Sequence, residues 1–175
     1  MRTELIRIKA LVGTTVLLGS LILIVHVFDP EAIRKLWHGR FNPNELFIVL
    51  VPFVLFEVWV HTVITRYLGA GHDLPVYRRY IGVLIETSIP TLALAMHIDS
   101  MGPVDALGFA VPLSYFIFII LSTLRLDFWL STFTGFVAAA ELLGMAMLYH
   151  RAGSTDPSPD LYYHAVRSVI ILVCG

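Results

Sequence analysis

Charge is what this sequence has least of. Of its 175 residues, 14% are Asp, Glu, Lys or Arg and 57% are hydrophobic, whereas an ordinary soluble domain carries about a quarter charged residues. With a mean hydropathy of +0.79, the composition excludes a soluble enzyme. A basic excess is also missing: the net charge is −1, which leaves no cationic surface for nucleic acid. Cysteine is nearly absent, and the single Cys174 excludes an internal disulfide and a thiolate metal cluster. There is no Gly-rich phosphate loop, no metal-binding aspartate pair and no Ser/His/Asp arrangement, so the stretch from Met1 to Gly175 is expected to be no enzyme in itself. A cleavable leader is missing too. The first apolar block runs nineteen residues from Ala10 to Phe28 and ends in Asp29-Pro30, too long for a signal-peptide core, and it is retained as a span.

What the sequence does have is long apolar runs. A bilayer core about 30 Å thick takes about 20 apolar residues of helix, and six stretches meet or approach that length: 10–28, 46–65, 80–98, 106–124, 128–149 and 161–175. The expected fold is therefore an all-α polytopic membrane protein, a six-helix bundle. Orientation follows the basic residues. With the N-terminus cytoplasmic, Arg2, Arg7, Lys9, Arg66, Arg78, Arg79 and Arg125 lie inside, and Arg34, Lys35, Arg40 and Arg151 lie outside. Both termini are then cytoplasmic. The dissenting charges cluster between the first two spans, where Asp29 caps, Pro30 suits a first helical position, and Ile33, Leu36 and Trp37 share a face opposite Arg34 and Lys35. That pattern predicts a short helix in the interface. The sequence stops inside the sixth span, so a cytoplasmic effector domain is expected after Gly175. The segment 152–160 reads as a loop by its turn residues.

Ionisable groups inside the bilayer need a partner or a purpose. Glu57, Glu86 and Glu141 each fall in a different span, and the plainest expectation is that each is neutral and hydrogen-bonds Ser, Thr or backbone across the bundle. Arg125 and Asp127 are expected to pair in the inner turn. Histidines are more telling. His26 lies seventeen residues past Lys9 and His97 eighteen past Arg79, depths of about 25–27 Å from the inner boundary at about 1.5 Å per residue. His150 ends the fifth span and His164 opens the sixth. Four histidines thus gather towards the outer leaflet. Imidazoles at one depth on rigid helices are what a haem iron or a metal ion requires, and the surrounding Phe28, Met96, Met101, Tyr149, Tyr162 and Tyr163 suit a flat apolar macrocycle. The other reading of the same residues is an interfacial belt.

Three runs carry a family resemblance: Glu86-Thr87-Ser88-Ile89-Pro90-Thr91 with Gly102-Pro103, the stretch 115–126 ending Leu124-Arg125-Leu126, and Phe133-Thr134-Gly135 leading to Glu141. They resemble the N-terminal six-helix membrane region of bacterial class III adenylate/guanylate cyclases, over about residues 80–145. The resemblance implies a sensor or regulatory module of the bacterial inner membrane, homodimeric, set before a cytoplasmic cyclase domain. Its haem-b-binding form is the one these histidines look most like, with two of His26, His97, His150 and His164 as axial ligands. The alternatives are a membrane redox or proton/ion-transport protein, and a ligand-free anchor that dimerises the attached domain.

Overall fold

The computed structural model describes residues 2–36, 43–71, 75–108, 111–123, 127–151 and 161–175. Among the described residues the chain is helical without a strand, as the all-α expectation requires. It divides into two compact units, Met1–Leu74 and Pro75–Gly175.

The first unit holds two long helices, α1 (Arg2–Phe28) and α3 (Pro43–Gly69), with the short α2 (Pro30–Leu36) between them. Each boundary has a local cause. Asp29 interrupts the helix and its Oδ1 accepts the Ala32 amide at 3.1 Å, while Pro30 occupies the first helical position, where its missing N–H is no loss. The anticipated capping of α2 is thus present, with Ile33 buried and Arg34 and Lys35 exposed. At the far end of α3, Gly71 adopts φ 70°, a left-handed conformation that costs other residues a Cβ clash. α1 and α3 pack antiparallel: Ile8 meets Ile64 near one end, and Leu50 reaches Gly19 farther along. Arg7 is buried in this seam and its Nε bonds Glu4 Oε2 at 2.9 Å.

The second unit contains α4 (Val76–Met101), α5 (Pro103–Gly108), a 3-10 turn (Val111–Leu113), α6 (Ser114–Thr123), α7 (Phe128–Arg151) and α8 (Leu161–Cys174). α4 ends at Gly102, whose φ of 92° turns the chain into Pro103 while its amide still bonds Ile98 O at 2.9 Å. α7 begins at Asp127, whose Oδ1 accepts the Leu130 amide at 3.3 Å. Leu94, Ile98, Tyr115, Ile119, Ala138, Leu142 and Ile171 join four of these helices in one apolar core.

Among the described residues four helices are long and apolar enough to cross a membrane: α1, α3, α4 and α7. Stretch 106–124, expected as one span, is not one continuous helix. Gly108 ends α5, Pro112 sits buried in the 3-10 turn, and the ten residues of α6 rise only about 15 Å. Proline and glycine together interrupt the helical ladder there. α8, with 14 residues, rises about 21 Å. The expected Arg125–Asp127 pair falls partly on 124–126, outside the described residues.

Candidate functional site

Register within the second unit fixes which residues share a level. Tyr80 of α4 stacks edge-on to Phe133 of α7, centroids 5.0 Å apart, and two to three turns on Ser88 and Thr91 bond Glu141, an offset of 53 and 50 residues. The two helices therefore run parallel. Carried two turns further, that offset sets position 97 level with 147–150 at the end of α7. Gly175 at the end of α8 meets Gly135 early in α7, so α8 runs back antiparallel and position 164 comes level with the C-terminal part of α7. The backbone thus brings His97, His150 and His164 to the same end of this unit. His26 lies in the last turn of α1, in the other unit.

The two described side chains of this set are both constrained. His97 is half-buried, and its Nδ1 lies 2.8 Å from Ala93 O. A carbonyl only accepts, so Nδ1 is the donor in this contact. This is the arrangement in which a metal-bound imidazole is commonly held, its second nitrogen donating to backbone or carboxylate. His164 is buried at 4% exposure and lies edge-on to Tyr163, with centroids 5.4 Å apart. Among the described residues no three of His, Cys, Asp or Glu gather as a metal cluster, whereas a bis-imidazole iron needs only two donors. Imidazole nitrogen on helices is the donor type a haem iron takes, and Leu94 and Ile98 lie buried on the same stretch of α4 as His97.

A second polar group lies deeper, where α4, α6 and α7 meet. Ser88 Oγ reaches Glu141 Oε1 at 2.8 Å, Thr91 Oγ1 reaches Oε2 at 2.5 Å, and Tyr115 OH lies 2.7 Å from Thr91 Oγ1. Glu141 is thus hydrogen-bonded by Ser and Thr of another helix, as anticipated for the intramembrane carboxylates. Glu141 is half-buried, and Glu57 and Glu86 are buried. The identity of the partners was missed. Their signal was faint: Ser88 and Thr91 sit three apart on one face of α4, flanking a proline inside an apolar run.

Arg167 was also missed, left out of the count of basic residues because its stretch was read as apolar. Its Nη1 donates to Leu107 O at 2.8 Å and its guanidinium lies 5.4 Å from the Tyr163 ring centre. Leu107 belongs to α5, so this bond ties α8 to α5 through a backbone carbonyl.

No protein-family model, curated protein or solved structure matches the chain. What the fold and composition define is a class: a helical protein that has, among the described residues, four helices long and apolar enough to cross a membrane.

Proposed function

We propose that this chain is the membrane sensor module of a class III nucleotidyl cyclase of the bacterial inner membrane. In this reading it has six crossings with both termini cytoplasmic, α5 to α6 forming the fourth crossing and α8 the sixth, with α2 lying in the interface. It works as a homodimer and binds haem b near the outer face. Two of His26, His97, His150 and His164 are the axial ligands, His97 with either His150 or His164 being the favoured pair. The observation that carries the haem reading is the Nδ1–H of His97 donated to Ala93 O, which orients the ring in the way a metal-bound imidazole is commonly held.

Bound haem supplies an iron that changes redox state or takes a small ligand. The chain's own residues hold and report it. Ala93 fixes the His97 ring, Tyr163 flanks His164, and α8 carries His164 at one end and the tight contact with Gly135 at the other. A shift of the His164 ring thereby bears on the α7–α8 seam, the element whose two packings would couple sensing to the cytoplasmic effector. The test is a histidine series in the full-length protein. His97→Ala and His164→Ala, each and together, are expected to convert or abolish the low-spin haem spectrum, and folding is checked by unchanged helical circular dichroism. An intact spectrum with all four histidines replaced overturns the haem site.

A further inference from the structure

The Glu141 group carries a proton count that does not close with an ionised carboxylate. Four contacts run through it: Ser88 Oγ to Leu84 O at 2.8 Å, Ser88 Oγ to Glu141 Oε1 at 2.8 Å, Thr91 Oγ1 to Glu141 Oε2 at 2.5 Å, and Thr91 Oγ1 to Tyr115 OH at 2.7 Å. Each two-centre hydrogen bond uses one proton, and carbonyl and carboxylate oxygens have none to give. Ser88, Thr91 and Tyr115 bring one hydroxyl proton each, so beside an ionised carboxylate three protons serve four contacts and Ser88 must share its own between two acceptors. A protonated carboxyl supplies the fourth.

Its position follows from the chemistry of the partners. Leu84 O only accepts, so a Ser88 that gives its proton there can accept one from a protonated Oε1. Thr91 donates to Oε2 and accepts from the Tyr115 phenol. We propose that Glu141 is a proton-binding site: at neutral pH its Oε1 holds a proton that closes one directed chain, Tyr115 to Thr91 to Glu141 to Ser88 to Leu84 O, and locks α4, α6 and α7 together. This inference is independent of the haem reading.

The surroundings agree. Among the described residues no cationic side chain bonds Glu141. From α6 the titratable group that faces it is Tyr115, fully buried; from α4 it meets the Ser88 and Thr91 hydroxyls. Farther along, His97 of α4 bonds Ala93 O and Arg167 of α8 bonds Leu107 O. An unpaired carboxylate in such a place is costly, and a neutral acid that both donates and accepts is not. Loss of the proton leaves a single Ser88 hydrogen facing two acceptors, beside a bare charge. The contact weakened is the one between Ser88 and Glu141, which joins α4 to α7.

Infrared difference spectroscopy of the purified protein in lipid, wild type minus E141Q at neutral pH, tests this. The expected result is loss of a protonated-acid C=O band, with the carboxylate bands unchanged. Loss of carboxylate bands instead overturns the proposal, and dependence of those bands on added sodium or potassium would name a cation as the ligand. S88A keeps Glu141 and removes the acceptor of its proton, so the acid band shifts to higher frequency; an unmoved band overturns the assignment even where E141Q fails to fold. Because Gln donates to Ser88 and accepts from Thr91, E141Q is expected to keep the wild-type melting temperature while E141A lowers it. Equal losses in the two variants contradict the lock.

Discussion

In α1, 11% of the most apolar stretch is buried inside the chain; in α7, 39% is. Both helices have the composition of a membrane span, yet the second is far more enclosed. α1 and α3 touch along a narrow seam around Ile8 and Ile64, and Leu17, Phe28, Leu55 and Trp59 stand exposed. α7 instead presents Ala138, Ala139, Leu142 and Ala146 to its neighbours, and through Glu141 it makes the bonds to α4. The difference teaches that apolar surface alone does not bring helices together in a bilayer, where lipid tails are as apolar as leucine. Close backbone approach and polar contacts do.

The largest expected effect that would break this comparison is at paired leucines. Leu142→Ala is expected to lower stability by about 3 kcal/mol through the cavity it leaves, while Leu17→Ala stays within about 0.5 kcal/mol, both read by denaturant unfolding in mixed micelles. Equal effects would erase the distinction between the units. Glycines give the next contrast. A Cβ at Gly135 would meet Gly175 Cα at 2.6 Å, whereas one at Gly13 meets nothing within 4 Å. Gly135→Ala should therefore cost about 2 kcal/mol by overpacking backbone on backbone. Gly13→Ala should gain about 1 kcal/mol from helix propensity; thermal melts compare the two signs directly.

Smaller effects sharpen the polar side of the contrast. Tyr115→Phe removes the donor to Thr91 and should cost about 1 kcal/mol, visible as a lower melting temperature with the secondary structure unchanged. Ser168 is buried on α8, and its Oγ has no hydrogen-bond partner among the described residues. Ser168→Ala is accordingly expected to leave stability unchanged or raise it by up to about 1 kcal/mol; a clear loss in the same melt would reveal a partner for that hydroxyl.

The long elements were legible because two signals agreed. Hydropathy marked 10–28, 46–65, 80–98 and 128–149, and each lies within a longer helix, since helices continue past the apolar stretch to the residues that cap them. Asp29-Pro30 announced its turn. In 106–124 the apolar count does not register Gly108 and Pro112, the two breakers inside it, and Pro112 sits in a 3-10 turn there. The Glu141 group was half legible. An intramembrane carboxylate is conspicuous in any sequence, but its hydroxyl partners lie about fifty residues away and only the parallel register of α4 and α7 selects them. For the histidines, helix-end position could be read from spacing. The Ala93 contact that orients His97 follows from its ring conformation, which no spacing encodes.

The most direct measurement is an absorption spectrum of the detergent-purified protein, oxidised and after dithionite, with a pyridine haemochrome assay for stoichiometry. A Soret band with sharp reduced α and β bands is the expected result, that of a low-spin haem b on two imidazoles. A colourless protein that takes up no added haem would contradict the sensor assignment and leave α4, α7 and α8 as a membrane anchor.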